Sequence, residues 1–366
     1  MHALKRFGTA FGGYKMMENY PVPECGPDDI ILEIKASAIC GADMKHWGVD
    51  NGYDDTNITP DQQQSVRGHE FAGEIVKVGE NVKDWHIGQR VVSDNSAHVC
   101  GVCPACEQGD FLCCEHKVNL GLDNNTWGGG FSKYCKVPGE ILAIHKHAIW
   151  EIPEGIKYEE ACVLDPICNA YKAVAQQSHL IPGQDVVVFG TGPLGLFSVQ
   201  VAKLMGAVNI VMVGLDDDVK VRFGVAKELG ATHCVNGSKE DVVARCTEIC
   251  GRDNLGLVIE CSGANIALKQ AIEMTRPNAE IVRVGMGFKP LEFSINDITA
   301  WNKSIIGHMA YDSTSWRNCI RLLQSGQIKV QPMITHRLGL SQWQEGFDKM
   351  AKKEAIKVIF HYDYED

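Results

Sequence analysis

Four cysteines crowd one short stretch, Cys100-x2-Cys103-x2-Cys106-x7-Cys114. Thiols this close in a reducing compartment act as metal ligands, and four thiolates suit a closed tetrahedral zinc site. A different set stands upstream: Cys40, in Ala38-Ile39-Cys40-Gly41-Ala42-Asp43, and the tripeptide Gly68-His69-Glu70. A thiolate, an imidazole and a carboxylate make a zinc set with a position left for substrate. A lone Cys or His is more often a core residue, and these three are far apart in the chain. Their joint presence with the cysteine lobe and a nucleotide loop is what raises them to candidates.

That loop is Gly190-x-Gly192-x-x-Gly195, with Pro193 and Leu194 inside it. It directly follows an apolar strand, Asp185 to Phe189, and opens a helical run from Leu194 to Met205. The first glycine allows a tight turn, the second lets backbone approach a pyrophosphate, and the third lets helix and strand pack closely. The helix N-terminus adds N–H groups and partial positive charge for the anion. An acid is next expected where the second strand ends, to hold the ribose hydroxyls of NAD. The chain has Gly214 and Leu215 there, then Asp216, Asp217 and Asp218, so the acid is displaced. Lys220 and Arg222 follow and could face a 2′-phosphate, but three carboxylates would repel it. NAD is favoured and NADP stays open. The same acids would also suit a solvated helix start.

The elements that must carry these groups fall into two textures. Up to about residue 160, short alternating runs such as Ile30 to Ile34, Gly73 to Gly79 and Gly88 to Val92 lie between Gly and Pro, as in an irregular β-barrel. From 161 to 299 strands alternate with helices, which predicts a doubly wound parallel sheet. Strands are expected near 185–189, 209–213, 233–235, 255–261 and 280–284, and helices over 219–229, 240–250 and 264–275. The segment 300–366 is expected to complete the first domain, with a helix over Ser341 to Lys352 capped by Ser341 and Gln344, and a last strand from Ile356 to His361.

The chain has 366 residues, 45% of them hydrophobic and 22% charged, which suits two globular domains. A net charge of −11 argues against nucleic acid and anionic membranes as partners. Met1 to Tyr20 lacks the apolar core of a signal peptide, so a cytoplasmic protein with mostly reduced cysteines is expected.

Together these marks resemble one family. Cys40-Gly41-x-Asp43, Gly68-His69-Glu70, the four-cysteine lobe, Asp165-Pro166, Gly190 to Gly195 and Ile334-Thr335-His336-Arg337 match the zinc-containing medium-chain alcohol dehydrogenases. The match runs end to end and lies nearest the sorbitol (polyol) and L-threonine 3-dehydrogenases. It implies an α/β fold: a GroES-like catalytic domain plus a Rossmann domain. Cys40, His69 and Glu70 match the catalytic zinc ligands, and the four cysteines match a structural zinc. Asp165 matches an acid beside the metal, either a fourth ligand or one acting through the zinc water. Asp43 matches an acid that orients the zinc-bound histidine. Backbone around Val284-Gly285-Met286 matches a support for the nicotinamide. Relatives are commonly dimers or tetramers, which implies a homo-oligomer.

The chain also departs from the family. Ala42 stands where many relatives carry a hydroxyl that starts a proton relay, and Lys45 stands where they often carry His, with His46 next. The relay is then rebuilt from Lys45, His46 and water, or the proton leaves through the zinc water and Asp165. The implied reaction is reversible oxidation of a secondary alcohol, with hydride passing to the nicotinamide. Asn119, Asp123, Asn124, Asn125 and Trp127 suit a polyol or sugar; Asn169 and Arg337 are weaker candidates for substrate contact. A threonine-like amino alcohol is the second choice. A zinc-free quinone reductase is opposed by the cysteine lobe, and a zinc-bearing nucleotide-binding protein with little turnover by the intact ligand set.

Overall fold

The structure is a computed structural model describing residues 1–6, 13–44, 47, 65–123, 126–287 and 289–365. They form two compact units: Met1–Asp165 with Asp312–Ile320 and Ile334–Asp366, and Pro166–Tyr311 with Arg321–Met333.

The first unit is built on strand Ile30–Ala38. It pairs antiparallel with Glu70–Val78, with Tyr134–Val137 and, at its end, with Lys357–His361. The sheet continues through Arg90–Ser93 to Ile149–Glu151 on one side and to Ile334–Gly339 on the other. Ile30–Ala38 is buried at every position except Glu33 and Lys35, so both of its faces are largely covered rather than one. Its pairing with Glu70–Val78 places Cys40, just past the strand's end, next to Glu70, the first residue of the neighbouring strand.

The second unit holds a six-stranded sheet with the order His233–Asn236, Ile210–Gly214, Val186–Phe189, Leu257–Glu260, Glu280–Arg283, Ser304–Gly307. All five pairings are parallel. Strands such as Val186–Phe189 are wholly buried, since a doubly wound sheet is covered on both faces and its strands read as continuous apolar runs. Pro193 opens the helix Pro193–Leu204, where its missing N–H costs nothing. Asp241 caps the helix Val242–Cys250, its carboxylate accepting from Ala244 N at 3.0 Å.

Three local expectations change. Residues 300–311 and Arg321–Met333 belong to the second unit, where Ser304–Gly307 adds the sixth strand. The helix expected from Val219 begins at Arg222, because Asp216–Asp218 folds as a 3₁₀ turn closed by the Asp218 carboxylate on Leu215 N at 2.8 Å. The last helix runs from Trp343 to Ala351. Ser341 bonds Asp363 instead of capping, and Gln342 rather than Gln344 reaches back, to Gly339 N at 3.2 Å. No helix among the described residues is long and apolar enough to cross a membrane.

Candidate active site

Gly68, with φ of +90°, turns the chain into strand Glu70–Val78. His69 lies in that turn and Glu70 opens the strand, so strand alternation does not force the two side chains to opposite faces. Cys40 lies between the end of Ile30–Ala38 and the short helix Gly41–Met44. One donor atom each from Cys40, His69 and Glu70 falls within 4.8 Å of the others. Burial pushes the Cys40 thiol up, and pushes the Glu70 carboxyl well above its usual range despite Lys357.

The polar atoms around this group favour a cation in it. Glu70 Oε1 and His69 Nδ1 are buried without hydrogen-bond partners. A buried polar atom left unpaired is costly, and a bound divalent ion would satisfy the carboxylate and deprotonate the thiol. Glu70 Oε2 is ion-paired with Lys357 Nζ, which also donates to Ile39 O at 3.1 Å. Asp43 Oδ2 accepts from Cys40 N at 3.0 Å, and Asp43 Oδ1 lies 3.9 Å from His69 Nδ1. Asp165 is not one of the three converging donors. Its charge helps raise both Cys40 and Glu70, and its Oδ2 accepts from Asn95 Nδ2 at 3.1 Å. Lys45 and His46 lie outside the described residues.

The cysteine lobe is a separate group in the same unit. Cys100 Sγ lies 3.6 Å from Cys114 Sγ and 4.0 Å from Cys106 Sγ, and Cys103 completes the set. Zinc–sulfur bonds of about 2.3 Å in a tetrahedron give a sulfur separation of about 3.8 Å. All four thiols are free of disulfides. The Val102 and Cys103 N–H groups draw the Cys100 thiol down to about 6, while burial raises Cys106 to about 12. Phe111 of the lobe packs on His145, with ring centroids 4.2 Å apart, and His145 Nε2 pairs with Asp94 Oδ2 at 2.6 Å.

In the second unit, Gly190 has φ of +93°, and a side chain on Gly195 would strike the Gly190 carbonyl. A methyl on Gly192 would meet nothing within 4 Å, so open space remains above the helix start formed by Pro193 and Leu194. That is the cradle a pyrophosphate requires. Asp216 lies just past the second strand and is engaged by Asn236 Nδ2 at 2.7 Å and Lys239 Nζ at 3.1 Å. Asp217 is exposed. Arg222 Nη1 is 3.3 Å from Asp218 Oδ1. The N–H groups of Val284 and Gly285 both donate to Glu260 O at 2.8 Å, which leaves Met286 exposed beyond the strand end.

Four residues that the sequence did not single out shape these sites. Lys357 balances Glu70, and Asn95 (φ of +61°) holds Asp165. Arg67 is buried 3.7 Å from Asp43. Glu260, fully buried, uses Oε1 to accept from Ser262 N at 2.7 Å and Gly263 N at 2.9 Å, so it shapes the turn beside Gly190. Asn95 follows Asp94, and such residues tolerate left-handed backbone, which was the signal available at that position. Arg337 is held by Glu159 at 2.7 and 3.1 Å. Asn169 Oδ1 faces His308 at 3.3 Å.

The chain matches the family models for an alcohol dehydrogenase GroES-like domain over residues 26–147 and for a zinc-binding dehydrogenase over residues 193–325. It is 77% identical over 366 residues to the uncharacterized zinc-type alcohol dehydrogenase-like protein YdjL of Escherichia coli K12, covering 100% of both chains. It is 30% identical to a sorbitol dehydrogenase of Halalkalibacterium halodurans, covering 98% of each. Among solved structures, the 2R,3R-butanediol dehydrogenase of Bacillus subtilis superposes with a TM-score of 0.83 at 29% identity, covering 99% of each chain. The chain belongs to the zinc-type medium-chain alcohol dehydrogenase family of oxidoreductases, with a GroES-like domain and a Rossmann-type domain.

Proposed function

We propose that the chain reversibly oxidises a secondary alcohol of a polyol or sugar to the ketone, with NAD as the electron acceptor. Cys40, His69 and Glu70 would hold the catalytic zinc, and Cys100, Cys103, Cys106 and Cys114 a structural one. The observation that carries this reading is the convergence of a thiolate, an imidazole and a carboxylate with unsatisfied buried polar atoms. When bound, the zinc acts as a Lewis acid toward the hydroxyl, and the oxidised nicotinamide takes the carbon-bound hydrogen with its electron pair.

The protein's own groups set the conditions. Lys357 offsets the charge of Glu70, so the site does not carry an excess of anions. Asp43 tethers the Cys40 backbone through Oδ2, and its Oδ1, 3.9 Å from His69 Nδ1, is the carboxylate oxygen that would orient the imidazole in the zinc-loaded site. Asp165, steadied by Asn95, offers a carboxylate toward which the hydroxyl proton can leave. Ala42 has no proton to pass. NAD is favoured over NADP because three carboxylates, Asp216, Asp217 and Asp218, crowd the second strand end, and two of the cations there, Arg222 and Lys239, are each paired with one of them.

The polyol reading is supported by the loop after the cysteine lobe. A side chain on Gly121 would strike Gly68 O and His69 N, so the loop backbone sits directly against the metal-ligand turn. Two of the expected substrate contacts are engaged elsewhere: Asp123 Oδ2 accepts from Asn119 N at 2.8 Å, and Trp127 packs on the barrel core. Asn124 and Asn125 lie outside the described residues.

The test is zinc analysis of purified protein, combined with NAD and NADP reduction across polyols, aldoses, aldonates, inositols and threonine. Two zincs per chain and polyol-dependent NADH formation are expected. Turnover of threonine alone would move the substrate to an amino alcohol. Zinc with NAD binding but no turnover would replace the enzyme by a nucleotide-binding protein.

A further inference from the structure

Arg67 stands two residues before His69 and is 4% exposed. An arginine stays protonated, so burying it is costly unless its donors are answered. Its Nη1 donates to Leu122 O at 2.7 Å, in the polar loop. Its Nε lies 3.7 Å from Asp43 Oδ1. The backbone on either side is equally fixed: Arg67 N donates to Leu4 O at 3.1 Å, and Arg67 O accepts from Phe131 N at 2.9 Å. Tyr14 OH donates to Asp43 O at 2.9 Å and closes the cluster.

Asp43 is a shared partner. Its Oδ2 is used by the Cys40 backbone. Its Oδ1 is fully buried, makes no hydrogen bond, and lies within 4 Å of both Arg67 Nε and His69 Nδ1. Both neighbours therefore share one carboxylate oxygen. Arg67 donates to the polar loop through Nη1, while its Nε lies within ion-pair distance of Asp43 Oδ1. The rigid fork of an arginine can span the two, whereas a lysine offers a single point of charge.

We infer that Arg67 is a positioning residue that couples the 119–123 loop to the Asp43–His69 pair, so that one side chain sets both how firmly the buried site keeps its metal and how well it holds a polyhydroxylated substrate. The substrate half rests on the proposed polyol reading; the metal half does not. Outer partners of metal-bound histidines are worth about 10- to 100-fold in metal affinity. Arg67 acts through such a partner.

The test uses the zinc-loaded full chain and a colorimetric chelator. The release phase absent from Cys40→Ala reports the buried site. Arg67→Met is expected to speed that phase about tenfold and leave the other phase unchanged. Asp43→Asn should speed it as well, and the double variant should be no faster than Asp43→Asn alone. Independent, multiplicative effects would overturn the coupling. KM for the best polyol should rise severalfold with kcat little changed, whereas KM for a simple secondary alcohol should move less. Equal shifts for both would remove the loop from the inference. Should Arg67→Met fail to fold, Arg67→Lys decides: it keeps the charge but cannot reach both partners, so it should still release zinc faster. Wild-type release and KM in Arg67→Lys would refute the proposal. If wild type oxidises no alcohol, the function fails while the release kinetics still judge Arg67.

Discussion

The cysteine lobe and the buried site are both candidate zinc centres in one unit, yet they are built on opposite plans. The lobe takes all its ligands from one short stretch, with Cys100 and Cys103 partly exposed. Backbone N–H groups, not charged side chains, draw the Cys100 thiol down. The buried site takes its ligands from two strand ends and surrounds them with Asp43, Arg67 and Lys357, all buried. A local, four-sulfur set closes the metal's coordination and can only brace the fold. The mixed, dispersed set leaves a position open, and its charge must be balanced by the rest of the unit.

If that contrast holds, removing one ligand from each centre should give opposite phenotypes. Cys40→Ala should abolish NAD-coupled oxidation to background and lose one zinc, with the fold retained. Cys103→Ser should also lose one zinc, but lower the melting temperature or disturb assembly, with turnover affected only indirectly. Zinc counts, circular dichroism and initial rates check the pair, and matching phenotypes would break the comparison. Lys357→Met probes the charge balance. It leaves Glu70 buried and uncompensated, a cost of about 3–5 kcal/mol. The loss should be largest after chelation and smaller with zinc, as measured by urea unfolding in both conditions. Asp43→Asn should weaken metal retention at the buried site about 10- to 100-fold and leave the lobe's metal alone, as followed by chelator titration. Gly192→Ala belongs to neither centre. Its methyl enters open space, so the melting temperature should stay put while NADH binding, read by fluorescence, weakens about tenfold, roughly 1.4 kcal/mol.

The same contrast explains what could be read from the sequence. The lobe and the glycine turn depend on close spacing, which survives without a structure. The inner strands of the parallel sheet were legible because they are continuous apolar runs bounded by turns, whereas the largely exposed edge strand Ser304–Gly307 was not. Lys357 was not: its partner Glu70 is 287 residues away, and a strand-leading lysine ordinarily reads as solvent-facing. Its signal was only that apolar residues flank it on both sides, Ala355-Ile356 before and Val358-Ile359-Phe360 after. Arg67 and Glu260 were hidden in the same way, since pairing of a buried charge is a tertiary fact. The cap assigned to Ser341 and Gln344 failed because the same stretch held a competing pair, Gly339 and Gln342, and Asp363 claimed the serine.

The seating of Gly121 on Gly68 separates what can vary around the buried site from what cannot. Any side chain at Gly121, or at Gly130 against Phe71 and Ser37, would push the loop off the metal-ligand turn. The backbone is thereby held at those two points, while the Thr126 side chain is exposed. On the proposed polyol reading, such a division would let substrate preferences be sampled by swapping side chains without disturbing the candidate metal site. A saturation library would find tolerance at exposed Thr126, and its lethal positions at Gly121, Gly129 and Gly130.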